Sequence, residues 1–425
     1  MSLSALFVTG LPGPGWDTLM EQRACEMVRT LRELGTAVLE VDYRALVDGA
    51  SETATLVARF EPDFITAANF NYYLQAAGPH TSLLHSLQVP VGVIWDDPLG
   101  ALALNWAQQR GGRLGELNLP PASGARAIFE GTMCRPNVHH FAWDTGHVRS
   151  IEALGLRPPK GVHWIPLPTY APFIQHGQQA AEQVTYDVAF CGNLYLGALR
   201  QSAFWSEPFW RELTEEICRR KASTLETPVL DLLEQAIEAL PAIQHGTRWL
   251  ARGESVYWDY YLFCVWIAAN TLVRLHVLQA VEHNIDLFGL FADDASKVGV
   301  SELSNVVYRG NADHFDELPD IFARTAINVC LSNGLIQQGV PSKLIDCLAS
   351  GGFALCDPKD DLITLFGPQV EAIFFRDADE LNEKIGYYLA RPAERREIVA
   401  SLRATIVERC SLHALYGEMI AAVTS

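Results

Sequence analysis

Residues 339–357 read as loop, helix, tight turn and strand, and this stretch limits the fold more than any other in the chain. Pro341 suits the first turn of a helix, where a missing N–H costs nothing, and Gly351 with Gly352 supplies the left-handed stop. Leu344, Ile345, Leu348 and Ala349 then share one face, while Ser342, Lys343, Asp346 and Ser350 share the other. Residues 353–356 form a short apolar strand that ends at Asp357 and Pro358. The unit therefore predicts a helix feeding the middle of a parallel sheet, in an α/β protein.

Upstream, an apolar strand over 326–331 runs into a polar loop over 332–339 that contains Asn333 and Gly334. A strand, a glycine-containing loop and a helix start together collect anions, because unpaired N–H groups and the helix dipole point into one space. Ser342 and Lys343 stand at that start. One turn on, the two oxygens of Asp346 suit a pair of vicinal hydroxyls. Phosphate at the helix start and a diol one turn later describe a nucleoside diphosphate with its ribose. The spacing alone also fits a solvated ion pair between Lys343 and Asp346, since residues three apart are helix-surface neighbours.

At 425 residues the chain is long enough for two domains with proper cores. A formal charge of −18 argues against a nucleic-acid partner, because nothing would neutralise a phosphate backbone. Nine cysteines are scattered without paired spacing, several inside apolar runs, which predicts buried thiols of a reducing compartment and no zinc site. No basic-then-apolar leader opens the chain, and the most apolar window, 260–273, is too short to span a bilayer. The expectation is a cytoplasmic protein without a transmembrane segment.

From the N-terminus, a strand over 4–9, a helix over 21–34 closed by Gly35 and a strand over 37–41 make a βαβ start. The intervening Gly10–Asp17 loop carries two prolines and does not match a dinucleotide fingerprint; it reads as a loop lining an acceptor cleft. Further strands are expected over 62–66, 89–95 and 162–168, with a strand-then-aspartate segment over 138–144 and a helix over 148–154. Asp96 and Asp97 end the fourth strand. They act as a general base or bind a hydroxyl-rich acceptor, or else one of them caps the next helix. His139 and His140 lie beside aromatic residues and read as packed side chains, with His140 worth testing.

A linker is expected over 168–184, where Pro, Gly and Gln replace apolar periodicity, followed by a strand over 186–191 and the loop Gly192, Asn193 and Leu194. Arg200 stands either as a phosphate partner or as a surface arginine. Helical periodicity over 209–220, 228–240 and 257–281 predicts a helical insertion of about 204–284 before strands resume over 285–289 and 305–308. It is rich in tryptophan, so it packs on itself, forms a homo-oligomer contact or widens an acceptor cleft. Helices over 378–389, from 391, and over 412–423 close the chain.

The segment from Asn305 to about His413 resembles the C-terminal part of GT-B glycosyltransferases, closest to the spore-maturation (CgeB-like) and group 1 glycosyltransferases. The resemblance rests on Tyr308, Arg309 and Gly310, on Glu317, Leu318 and Pro319, on Ala326 to Asn328, on Lys343 to Asp346, on Ala349 to Gly352 and on Asp357. It implies two facing Rossmann-like domains, 1–168 for the acceptor and 169–410 for a nucleotide sugar, with 411–425 returning to the first. It also implies that Gly192 and Asn193 approach the donor diphosphate through backbone N–H groups, and that Gly310, Asn311 and Ala312 hold the nucleobase. Asp96 and Asp97 would then lie in a cleft, and closure would exclude water.

Two departures from the family pattern stand out. Asp346 replaces a glutamate that binds ribose, and Lys343 replaces a common arginine, so a bidentate phosphate grip becomes a point charge. The expected activity is a hexosyltransferase-like transfer from a nucleotide-diphosphate sugar to an unknown acceptor, with Lys343 stabilising the leaving group and no metal or other cofactor. The alternatives are a non-catalytic sugar-binding or scaffolding protein of the same fold and, with less support, a nucleotide-sugar epimerase.

Overall fold

The computed structural model describes residues 3–10, 17–47, 51–68, 84, 87–95, 130, 133–153, 155–179, 183–194, 199, 203–206, 208–239, 256–289 and 303–425. The chain divides into two compact units. The first comprises Met1–Ile165, Thr247–Tyr260 and Leu412–Ser425, and the second Pro166–Gly246 and Tyr261–Ser411.

The first unit is a six-stranded parallel sheet. Its strands are β1 (Ser4–Thr9), β2 (Ala37–Asp42), β3 (Phe64–Ala67), β4 (Val91–Trp95), β5 (Val138–Ala142) and β6 (Val162–Trp164), in the order β2-β1-β3-β4-β5-β6. Strands such as β3, β4 and β5 are buried along their whole length, as runs covered on both faces must be. Leu6, Val8, Ile65, Val93, Trp95 and Val138 form the core beneath it, each buried aliphatic side chain contributing about 1.5–3 kcal/mol. Helix α1 (Asp17–Glu33) follows β1 and stops at Gly35, whose φ of +82° is the left-handed stop expected there.

The last helix of the chain, Leu412–Val423, packs against α1, β4 and β5. Gly92 makes that approach possible, since a Cβ there would lie 2.8 Å from Met419 Sδ. His140 is a packing residue: Trp95 Nε1 donates to its Nδ1 at 3.2 Å and its Nε2 lies 3.0 Å from Met133 O. Burial pushes its pKa down to about 4, so the ring is neutral. The loop after Gly10, Asp96, Asp97, Arg200, Trp249 and the side chain of Trp258 lie outside the described residues.

The second unit is a five-stranded parallel sheet of β7 (Tyr186–Cys191), β8 (Ile285–Gly289), β9 (Val306–Asn311), β10 (Thr325–Cys330) and β11 (Ala354–Cys356), ordered β11-β10-β7-β8-β9. Between β7 and β8 the described helices of the insertion include, after a short helix over Ala203–Ser206, α2 (Pro208–Ser223), α3 (Val229–Ala239) and the 25-residue α4 (Val256–Ala280). The pivotal helix α5 spans Ser342–Ala349. After it, α6 (Ala378–Leu389) and α7 (Pro392–Arg409) complete the layers. No described helix is long and apolar enough to cross a membrane.

Several local expectations shift. Pro341 is the N-cap of α5, one position before its first turn, and Gly351 takes φ +87° after it. Strand β11 lies at the sheet edge, not the middle, because only β10 pairs with it by ladder. The helix's polar face is not solvated: Asp346 and Ser350 are buried, covered by neighbouring elements that periodicity does not report. The expected linker over 168–184 contains a helix, Ala171–His176, with Pro172 in its first turn, where proline starts helices. Strand β9 runs on through Gly310 and Asn311, helped by a register shift against β8, so these two residues end the strand instead of following it.

Candidate functional site

In the second unit the chain runs from β7 outward to β8 and β9, then crosses back to β10 and β11 on the other side. Neighbouring connections therefore leave β7 and β10 in opposite directions, and the carboxyl ends of these two strands bound the crevice where open α/β sheets bind ligands. Cys191 ends β7 and residues 192 and 193 follow it, residues 331–334 follow β10, and the start of α5 arrives between them. Arg403 fixes that helix from below, donating from Nε to Ala349 O at 2.9 Å and from a terminal nitrogen to Ile174 O at 2.9 Å.

Lys343 reaches across this switch point. Its Nζ donates to Cys191 O at 2.6 Å and lies 6.0 Å from the centre of the Phe190 ring. Burial pushes the amine down to about 7, and the charge of Arg274 pushes in the same direction. A side chain on Gly192 would put a Cβ 2.8 Å from that Nζ, so glycine is what lets the lysine lie there.

Arg274 was not among the residues expected from sequence. It comes from α4, is 5% exposed, and donates to Asn193 O at 2.8 Å and Leu331 O at 3.4 Å, so it spans the ends of both switch-point strands. One turn earlier on the same face, Asn270 accepts from Gly334 N at 2.6 Å and donates to Asn333 Oδ1 at 2.8 Å. The loop 332–334 is therefore shaped by the insertion, and Asn333 and Gly334 are brought to α4. An arginine and an asparagine four apart in a mainly apolar helix were the available signal, since such groups are buried only with partners.

Asp346 is 2% exposed, and its Oδ1 accepts from the Thr169 hydroxyl at 2.7 Å. Its Oδ2 lies 3.9 Å from His314 Nε2. The solvated-pair interpretation of Lys343 and Asp346 therefore fails, because the carboxylate sits inside the unit. Ser342 is half-buried in the first turn of α5. Gly310 takes φ +111°, and Asn311 Oδ1 accepts from Tyr308 Oη at 2.7 Å, both at the end of β9.

Beside Arg274 lies a cavity of ≈ 20 Å³, bordered by Asn333, Asp357, Lys359 and Lys221; that is space for about one water. Asp357 accepts from Ser332 N at 2.8 Å and from Lys359 Nζ at 3.0 Å. Burial opposes its ionisation, but Lys359, Lys221 and the Ser332 bonds outweigh burial and hold the carboxyl below its ordinary value. Lys221 donates to Leu225 O, and burial followed by the nearby Lys359 pushes its amine down to about 7. The thiols of Cys191 and Cys330 are pushed up to about 12, chiefly by burial, so they are not nucleophiles. Among the described residues no group of three or more His, Cys, Asp or Glu is placed to hold a metal ion.

Residues 271–421, which carry Arg274, Lys343, Asp346 and Asp357, match the family described as glycosyl transferase-like. No curated protein sequence matches the chain. Among solved structures, a glycosyltransferase of Rickettsia africae superposes with a TM-score of 0.55 at 9% identity, covering 100% of this chain and 98% of that one. Sucrose-phosphate synthase of Thermosynechococcus elongatus superposes at 0.53 with 10% identity and 99% coverage of both chains. Anabaena HepE in complex with UDP-glucose gives 0.52, again with 10% identity and 99% coverage of both. The fold is that of the GT-B glycosyltransferases: two Rossmann-like α/β domains with a helical insertion in the second.

Proposed function

We propose that the protein is a glycosyltransferase that moves a sugar from a nucleotide-diphosphate donor to an acceptor, and that the switch point of the second unit is its donor site. The observation that carries this reading is the pairing of Lys343 and Arg274 there. Their hydrogen bonds to Cys191, Asn193 and Leu331 fix both groups at the ends of the switch-point strands. A diphosphate bound between them gains negative charge as its bond to the sugar breaks. Preplaced cations stabilise that growing charge without reorganising, and no metal is required for the step. Asp346, one turn along α5, offers a buried acceptor to the ribose. Gly192 and Asn193 approach the phosphates through their backbone, and the end of β9 at Gly310 and Asn311 holds the base.

HepE is one neighbour whose structure contains UDP-glucose, so UDP-glucose is the first donor to test, and a hexosyl group is the transferred unit proposed. Thermal melting with UDP, GDP and dTDP compounds tests the site: a shift seen in the wild type and lost in Asp346→Ala supports it. No shift with any of them sinks it. Asp96→Asn and Asp97→Asn, assayed by nucleotide release with candidate acceptors, test the proposed acceptor-side base.

A second reading, a non-catalytic nucleotide-sugar-binding protein, is favoured by one observation. Asp346 is shorter than the family's glutamate and has one oxygen engaged by Thr169. Binding without nucleotide release across an acceptor panel would select this reading.

A further inference from the structure

The segment that enters the second unit and the one that leaves it meet beside Asp346. Thr169 forms a parallel bridge with Ser411, and its N–H donates to Cys410 O at 2.6 Å. Thr169 is 0% exposed, so its backbone is pinned and its surroundings are closed. A β-branched side chain on a pinned backbone has few rotamers left. Its hydroxyl is thereby aimed at Asp346 Oδ1, 2.7 Å away. The bond joins two residues 177 apart in sequence, so the pairing belongs to the folded unit and not to any local turn.

Asp346 needs such a partner for two reasons. A buried carboxylate is costly unless hydrogen-bonded, and Thr169 supplies a hydrogen bond. An aspartate arm is also too short to fold back and choose its own orientation, so the plane of its carboxylate is set by what holds it. One of its roughly four lone-pair directions goes to Thr169, and the directions of the others follow from that. On the far side His314 Nε2 stands 3.9 Å from Oδ2, which brackets the group between two elements.

We infer that Thr169 is a positioning residue for nucleotide recognition: its hydroxyl holds the Asp346 carboxylate in the orientation that reads the donor's ribose. The inference rests on the donor-site reading above and adds a residue outside α5 and outside the segment matched by the family model. It distinguishes the two halves of the ligand. Lys343 and Arg274 meet the diphosphate, whereas Thr169 acts only through the carboxylate that meets the sugar of the nucleoside.

The test compares UDP with inorganic pyrophosphate, which has no ribose, by calorimetry on the full chain. Thr169→Val is expected to weaken UDP about tenfold or more, the effect of a lost hydrogen bond to a charged group, and to leave pyrophosphate affinity unchanged. Thr169→Ser restores UDP binding, and Thr169→Val adds nothing in an Asp346→Ala background. Thr169→Ala serves if the valine chain does not fold. UDP affinity kept within twofold, equal losses for UDP and pyrophosphate, or no rescue by serine would each overturn the inference. A wild-type protein that binds pyrophosphate and UDP equally well would overturn it too. A wild type that binds neither removes the donor-site reading itself, and the inference with it.

Discussion

Lys343 Nζ donates to Cys191 O across 2.6 Å, joining the first turn of the pivotal helix to the end of β7. The contact places a buried amine at the mouth of the sheet's switch point, where burial and then the charge of Arg274 hold its pKa down against the pull of Asp346. A ligand with negative charge at the same place reverses the balance.

Affinity for a nucleotide sugar should therefore depend on pH through Lys343. The unliganded amine titrates at about 7, and the bound diphosphate raises it, so binding takes up a proton above that pH. Affinity is full below about 7 and falls as pH rises, approaching tenfold per unit at the steepest. Calorimetry at pH 8 in buffers of different ionisation heat reads the proton directly, and UDP-glucose suits it because its phosphates do not titrate there. Lys343→Met should flatten the profile and cost about 2 kcal/mol or more of binding at pH 6.5. The same shift predicts that folding stability rises between about 7 and the unfolded lysine value, since the unfolded chain holds the proton longer. A profile that is identical in wild type and methionine variant refutes the assignment.

Gly192→Ala separates site geometry from fold stability. The new Cβ would stand 2.8 Å from Lys343 Nζ and 3.0 Å from the Phe190 ring. The lysine end is flexible and moves aside while the buried Phe190 ring gives by a few tenths of an ångström, so the fold should lose only about 1 kcal/mol of stability. Displacing the charge should weaken nucleotide-sugar binding by about tenfold, a 1.4 kcal/mol effect. Melting and titration of one preparation give both numbers; a large melting change with unaltered binding contradicts the geometry.

Much of the second unit was readable because its signals are local. Pro341, the paired glycines at 351 and 352 and the apolar face of α5 specify a helix start, a stop and a buried side within a dozen residues. Lys343 and Asp346 followed from position on that helix. Arg274 and Thr169 did not, because what makes them matter is a partner far away in sequence: Asn193 lies 81 residues from Arg274. The edge position of β11 and the extension of β9 through Gly310 are set by strand pairing, which no single strand's composition encodes.

Arg274→Leu should act on Lys343 from a distance. The guanidinium is one cause of the lysine's low pKa, so its removal should move the midpoint of the pH profile above 7 even as overall nucleotide affinity falls. Leucine keeps the apolar bulk on α4 but abandons the carbonyls of Asn193 and Leu331. A double-mutant cycle with Lys343→Met should return a coupling of about 0.5–3 kcal/mol in binding, as for charged neighbours that share one ligand. A midpoint that stays put, or additive losses, would show that the two cations act separately.

Asp357→Asn tests the buried charge cluster behind the site. The carboxylate holds Ser332 N and pairs with Lys359, and Lys221 lies close enough to help keep it ionised. Its folded pKa is below the ordinary value, so its contribution is present above the unfolded pKa and is lost as pH falls through the folded one. Asparagine leaves the two lysines without that charge, and breaking such a buried pair costs about 3–5 kcal/mol near neutral pH. The deficit should shrink in acid, where the wild-type carboxylate also protonates. The Lys221 amine already titrates at about 7, so losing the nearby carboxylate should lower its pKa further and let it shed its proton more readily, which would soften the penalty at pH 8 relative to pH 6. Chemical denaturation at pH 2.5, 6 and 8 measures all three differences, and a deficit that does not change with pH would mean that Asp357 acts through its shape and hydrogen bonds and not through its charge.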